Sequence, residues 1–291
     1  MSTDKLIPLV ARLPLPSISL LGWLFGWLLW LTPNKKRRVC FINIGICLPH
    51  LSAWKRSELA RKSLINECLT LLEIPRLMRL PQDKVLSLIK NITGEAYLEQ
   101  GIQKGNGVIL AIPHLGNWEM IGFYGSSRYP MTSLYRTQRH NPILDQYIRN
   151  GRQRFGANLV PTDTSGVRAI YKSLTKNHLV AILPDQNPGN GKGVFVPFFD
   201  HPAKTMTLLP RLAQRNQSTV LLCYAQRRSW GRGFELHFIP MNDDIYNTEE
   251  DISAASMNRD LEHCIRRIPE QYWWSYKRFR DMPSGQPSPY E

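Results

Sequence analysis

Residues 107–120 read GVILAIPHLGNWEM, and the fold and the chemistry of the chain both turn on them. The run from Val108 to Ile112 is compact, apolar and rich in branched side chains, which predicts a buried strand. Pro113 closes the run, so His114 falls at the strand's carboxyl end, the lip where α/β sheets bind ligands. Gly116 and Asn117 follow as a hinge and a helix cap, and a helix is expected to open there with Glu119 in its first turn. A carboxylate suits the positive end of such a helix.

Outward from this stretch the same alternation repeats. Strand-like runs occur at TSLY (132–135), HLVAIL (178–183), TVLLCYA (219–225) and FELHFI (234–239). Helical patterns lie between most of them. NPILDQYIRNGRQRFG puts Ile143, Tyr147 and Ile148 on one side and Arg149 and Arg152 on another, and TSGVRAIYKSLTKN begins at a good cap. A last helix is expected from Ile252 to Arg267. Upstream, residues 52–73 are helical in spacing with Ser52 as N-cap, and Pro75 and Pro81 are expected to break the pattern. The fold class predicted is α/β, a central mixed sheet covered by helices, preceded by an N-terminal hydrophobic membrane-anchor helix. The expected division is an anchor at 1–34, one catalytic domain at 35–282 and a flexible tail at 283–291.

The 291 residues suffice for one sizeable core, and 43% hydrophobic with 21% charged residues excludes a disordered chain. A net charge of +14 attracts anionic partners, whether nucleic acid, anionic headgroups or an acidic carrier protein. Cys40, Cys47, Cys68, Cys223 and Cys264 are scattered with no C-x-x-C pair, which fits reduced, mostly buried thiols in a cytoplasmic compartment. The N-terminal run ISLLGWLFGWLLWL, residues 18–31, carries no charge and three tryptophans. TPNKKRRVC follows it instead of a small-residue cleavage site, so it is read as retained. It falls short of the ~20 residues of a spanning helix, and is therefore either a short Trp-anchored span or a helix lying partly in one leaflet. Lys35, Lys36, Arg37 and Arg38 would then face anionic headgroups on the cytoplasmic side. A buried core helix is the competing reading of so short a run.

His114 and Glu119 are five residues apart, an offset that on one continuous helix would turn them about 140° from each other. They meet only if His114 precedes the helix and Glu119 lies in its first turn. An imidazole so placed takes a proton from a hydroxyl near neutral pH, and a carboxylate on its other nitrogen fixes the tautomer. No candidate serine or cysteine stands immediately beside the pair, so direct attack by a bound alcohol is simpler than an acyl-enzyme. Spacing alone supports a structural His–Glu pair as well as a catalytic one.

The H-x-x-x-x-[DE] motif, after an apolar strand and downstream of a membrane anchor, resembles the glycerolipid and lipid A acyltransferases. Four further stretches carry the resemblance: LYRTQRHNPILDQYIRNGRQRFG, LPDQNPG, GVFVPFFDHPAKT and PEQYWWSYKRFR, in that order from residue 134 to 280. Asp185-Gln186 stands where glycerol-phosphate acyltransferases carry E-G-T-R, which favours the lipid A branch. LYRTQRHNP lacks the proline that many relatives place after the arginine. The resemblance implies transfer of a fatty acyl chain from acyl carrier protein to a hydroxyl of a lipid A precursor, at the cytoplasmic face of the bacterial inner membrane. It implies no metal and no cofactor. By position it makes His114 the base and Glu119 its orienter, with Arg136, Arg152, Asp185 and Gln186 around the substrate.

Other readings of these residues remain. Arg136, Arg139, Arg149, Arg152 and Arg154 suit sugar phosphates, but a run of charge is more often a solvated helix face. Asp185 and Gln186 before NPGNGKG suit a turn. Tyr272, Trp273, Trp274 and Phe279 fit a core as well as a headgroup-level surface. His140, His178, His201, His237 and His263 have no carboxylate at metal-ligand spacing and are read as structural. Arginines also suit nucleic acid, but no such module's signature is present, and the predicted partners exclude it. The same catalytic pair would serve another amphipathic acceptor, an ornithine lipid, glycolipid or lysophospholipid. A noncatalytic membrane-surface binding protein would have no need of a poised base.

Overall fold

The central strand of the molecule is the stretch the sequence singles out. In a computed structural model, which describes residues 3–138, 141–189 and 192–291, Val108–Ala111 forms a strand buried at every position. The strands in chain order are β1 (Ile89–Thr93), β2 (Val108–Ala111), β3 (Met131–Tyr135), β4 (Ala157–Pro161), β5 (Leu179–Ile182), β6 (Val194–Phe198), β7 (His201–Thr205), β8 (Thr219–Arg227) and β9 (Phe234–Pro240). Seven make one sheet in the order β1-β9-β8-β2-β5-β3-β4, and β6 and β7 pair as a separate hairpin. The five strands from β8 to β4 run parallel, while β9 returns antiparallel to β8 and carries β1 with it, so the sheet is mixed.

Alternation along β2 divides the core in two. Ile109 and Ala111 join Val180, Ile182, Val220 and Leu222 on one face. Val108 and Leu110 join Leu179, Ala181, Leu221 and Cys223 on the other. Strands buried on both sides need helices over both faces. The first face takes α3 (Lys35–Cys47), α9 (Thr164–Leu174), α10 (Leu208–Asn216) and α11 (Glu250–Arg267). The second takes α6 (Glu95–Gln103), α7 (Glu119–Arg128) and the end of α4 (Ala53–Arg79); α5 (Gln82–Leu86) and α8 (Pro142–Gln153) lie beside them. The caps are local chemistry. Ser52 accepts from Lys55 N, Asn141 from Leu144 N, and Asp163 from Ser165 N and Gly166 N, each satisfying an otherwise unpaired first-turn donor.

Several expectations change. Pro75 does not stop the helix at 73, because α4 continues through it to Arg79, and Pro81 follows the end. Strands β1, β4, β6 and β7 add to the five expected. The last nine residues, expected as a flexible tail, end on a docked Tyr290. Its hydroxyl donates to Asn43 Oδ1 and accepts from Phe279 N, and its ring is buried. All five cysteines are free and buried.

At the N-terminus, α1 (Thr3–Val10) precedes α2 (Leu15–Leu31), and α2 packs along α4. Two glycines set that approach: a Cβ at Gly26 would lie 2.4 Å from Ile65 Cα, and one at Gly22 2.5 Å from Leu69 Cδ2. The opposite face of α2 is bare, with Leu20, Trp23, Leu24, Phe25, Leu28 and Leu31 all exposed. Among the described residues no single helix is long and apolar enough to cross a membrane; α2 and α3 together reach that threshold only as a pair bent by 82°. The basic cluster that follows is largely engaged. Lys36 bonds Glu67 at 2.5 Å, Arg37 lies 4.8 Å over Trp30, and Arg38 donates to the carbonyl of Glu291.

Candidate active site

The parallel pairing of β2 with β5 decides what His114 meets. Ala111 is opposite Ile182, and Ile112 N donates to Ile182 O, so the third residue beyond each strand end comes together. Those residues are His114 and Asp185. The main-chain N of His114 donates to Asp185 Oδ2 at 2.9 Å, and its ring Nδ1 to Oδ1 at 2.8 Å. Burial alone would push the Asp185 carboxyl up, but attraction to His114 and the bonds from it outweigh burial and hold it below its usual range. With Nδ1 donating, the other ring nitrogen of a neutral His114 presents a lone pair. Gln186 Nε2 sits on it at 3.2 Å.

Glu119 lies elsewhere than expected. It opens α7, as predicted, yet its carboxylate is gripped by Arg152, with Nε to Oε2 at 2.9 Å and Nη2 to Oε1 at 2.5 Å. Burial works to lower the Arg152 pKa, but Glu119 more than offsets it and the net direction is upward. The carboxylate on His114 is therefore Asp185 and not Glu119, which is linked to the histidine through Trp118. Trp118 Nε1 donates to Glu119 Oε1, and its ring meets His114 edge-on at 4.8 Å. Trp273 completes the aromatic wall, 5.0 Å from Trp118 and 6.0 Å from His114.

The loop bearing His114 is held from beneath. Gly116 has φ +65°, and a Cβ there would lie 1.9 Å from Ala225 O, so no larger residue fits. Gly116 N donates to Gln271 O and Asn117 N to Ala225 O. Asn117 does not cap α7 with its side chain; its amide donates to Glu73 Oε2 at 2.8 Å. Glu73 in turn takes two bonds from Arg227, at 2.7 and 2.8 Å, and both side chains are buried. Arg227 also donates to Thr70 Oγ1, whose hydroxyl bonds Gly116 O at 3.1 Å. The sequence offers no short-range signal for this network, because its members come from α4, β8 and the loop.

Of the remaining candidates, Arg136 is exposed just past β3. Arg149 and Arg152 lie over the Tyr135 ring, and Arg154 donates to the carbonyls of Arg79 and Leu77 at the end of α4. Arg139 and His140 lie outside the described residues. Tyr272, Trp274 and Phe279 are core, as is Arg278, which donates to Lys204 O and Thr205 Oγ1. A narrow pocket runs from Trp118, Glu119 and Arg152 down between α7 and the sheet, walled by Ile112, Phe123, Met131 and Leu183. Gly122 lines it, and a Cβ there would meet no atom within 4 Å.

Known sequences place the chain in a family. Residues 5–281 match the family described as bacterial lipid A biosynthesis acyltransferase. The chain belongs to that family. It is 27% identical to a lipid A biosynthesis lauroyltransferase of Escherichia coli (strain K12), over 97% of this chain and 91% of that one. A lipid A biosynthesis palmitoleoyltransferase of the same organism is 28% identical, over 96% and 90%. A myristoyltransferase of lipid A biosynthesis, also from that strain, is 24% identical over 89% and 79%. The family supports acyltransferase activity in lipid A biosynthesis for this chain.

Proposed function

We propose that this chain transfers a fatty acyl group from acyl carrier protein to a hydroxyl of a lipid A precursor, with His114 as general base. The observation that carries this reading is the lone pair of His114 Nε2, set by Asp185 on the far side of the ring, with Trp118 between the imidazole and an apolar pocket. The acceptor hydroxyl takes the position on Nε2 that the Gln186 amide holds in the free enzyme. His114 removes the hydroxyl proton as the oxygen attacks the thioester carbonyl. The C–O bond forms, the C–S bond breaks, and the imidazolium returns the proton to the departing thiolate. The displaced Gln186 amide is then free to donate to the carbonyl oxygen as it gains charge.

We assign the acyl chain to the narrow pocket between α7 and the sheet, which must open to admit it beside Phe123, Met131 and Leu183. Arg152 has committed two of its donors to Glu119, so that pair shapes the pocket mouth and sets the edge of Trp118 against His114. Arg136, exposed just past β3, is the cation we assign to an acceptor phosphate. The bare apolar face of α2 rests on the cytoplasmic side of the inner membrane, and the +14 charge favours both anionic lipid and an acidic carrier.

The test uses purified chain, labelled acyl carrier protein and a lipid A precursor in mixed micelles. His114→Ala, folded by circular dichroism, is expected to lose transfer. Transfer at the parent rate removes His114 from the chemistry. Mass spectrometry of lipid A from cells with and without the gene checks the acceptor. An unchanged profile shifts the acceptor to another amphipathic lipid with the chemistry intact.

A further inference from the structure

The hairpin between β8 and β9 turns through Arg228-Ser229-Trp230-Gly231-Arg232. Trp230 has φ +55° and ψ +40°, Gly231 has φ +68°, and Arg232 N donates to Ser229 O at 3.3 Å. Two successive left-handed residues inside an i to i+3 bond make a type I′ turn, which takes Asn, Asp or Gly at its first central position. A tryptophan there is backbone strain, and such strain is retained where the side chain has a use. Packing does not supply that use, because Trp230 is 60% exposed.

The surroundings say what it serves. Gly231 abuts Leu15, and a Cβ there would lie 2.7 to 3.0 Å from that residue, so the turn rests on the first residue of α2. Arg228 and Arg232 flank the indole, both exposed. Arg228 reaches Glu235 only at 3.6 Å, and Arg232 makes a bond within its own turn. An indole with a polar edge between two cations is the composition of a headgroup-level contact. The turn also continues, at its amino end, the helix whose other face is bare.

We infer that the 228–232 turn is a second membrane contact, in which Trp230 inserts at the level of anionic phospholipid headgroups while Arg228 and Arg232 pair with their phosphates. The inference rests on the reading of α2 as the primary membrane contact. Two separated contacts fix the tilt of the molecule on the bilayer, which a single helix lying in the interface would not. The mouth beside His114 then holds one height above the lipid surface.

Trp230→Asn is the informative variant, because asparagine suits the turn better than tryptophan, so the fold is preserved or gains stability. Full-length parent and variant are compared for partitioning onto vesicles of phosphatidylethanolamine and phosphatidylglycerol, three to one. The expected result is an unchanged or raised Tm with partitioning weakened roughly tenfold or more, the scale set by losing a largely exposed indole's burial. Arg228→Gln with Arg232→Gln is expected to weaken binding to these vesicles and leave binding to phosphatidylcholine vesicles unchanged. Equal partitioning of Trp230→Asn and parent overturns the second contact while leaving α2 in place. Failure of the parent itself to partition overturns the α2 reading and this one together. Unchanged partitioning with lost transfer from acyl carrier protein overturns lipid as the occupant and assigns the turn to the protein donor.

Discussion

Replacing Asp185 by asparagine should abolish catalysis through the tautomer of His114 and leave the pocket unaltered. Both oxygens of Asp185 accept from the same residue, Oδ2 from the main-chain N–H of His114 and Oδ1 from its ring Nδ1. An asparagine has one acceptor and one NH2 in those two places. The main-chain N–H cannot become an acceptor, so the amide oxygen must face it and the NH2 must face the ring. The ring then accepts at Nδ1 and carries its proton on Nε2, where the acceptor hydroxyl needs a lone pair. In a serine protease triad the equivalent change lowers kcat by about 10⁴, or about 5.5 kcal/mol, and the same scale is expected here. The assay is single-turnover acyl transfer from acyl carrier protein, with KM for the lipid acceptor measured separately. KM should stay within a few-fold, since the pocket and Arg152 are untouched. A fall in kcat of less than tenfold, in a variant with parental circular dichroism, would show that Asp185 does not set the base. The same substitution bears on stability. The Asp185 carboxyl titrates lower in the folded chain than its ordinary value near 3.9, so the bonds to His114 stabilise the fold above about pH 4. That contribution is lost as pH falls through the folded value, and the acid limb of a Tm-against-pH curve should flatten in Asp185→Asn.

Glu119→Gln should reduce transfer by weakening the grip on Arg152 and Trp118, and by much less than Asp185→Asn does; equal losses would return Glu119 to the base itself. Glu73→Gln leaves Arg227 buried without its counter-charge and is expected to cost about 3 kcal/mol in denaturant unfolding, with kcat falling because Asn117 and Gly116 lose their support. Gly122→Leu should fill the pocket without straining the helix, since nothing lies within 4 Å of its Cβ, and product mass spectrometry should show shorter acyl chains. Gly26→Ala places a methyl on the Ile65 backbone and should destabilise by about 1 to 3 kcal/mol, read by thermal unfolding with vesicles absent.

What could be seen in the sequence was what local chemistry decides. The strand before His114, the helix start at Glu119 and the cap at Ser52 each depend on neighbours within a few residues. Pro75 misled because a proline inside a helix removes one hydrogen bond, and α4 offsets that loss by packing along its length against α2 and α3. The partner of His114 could not be found locally. Asp185 is 71 residues away, and only the adjacency of β2 and β5 in the sheet brings the two strand ends together. Glu119 was the nearer carboxylate in sequence and the wrong one in space, because Arg152 on α8 claims it. The strand-end position of DQ after HLVAIL was the one usable signal, since the lip of a parallel sheet collects residues from several strand ends at once.

The placement of the buried ion pair connects these observations. Helix α4 presents its Gly-facing side, Ile65 and Leu69, to α2, and an adjacent side, Thr70 and Glu73, to the loop carrying His114. Arg227, at the end of β8, ties that second side to the sheet, and the turn bearing Trp230 begins one residue later. Helix α4 thus touches both α2 and the loop that carries His114. A buried pair of this kind adds little net stability compared with apolar packing, because desolvation offsets most of the attraction. What it does supply is a tie among three elements, since Glu73 on α4 accepts from Arg227 of β8 and from Asn117 of the His114 loop at once. The loop carrying His114 is therefore held on α4 and β8 by directional hydrogen bonds as well as by packing. On the proposed function, that placement suits an acceptor held in a lipid surface and a donor that arrives from solution.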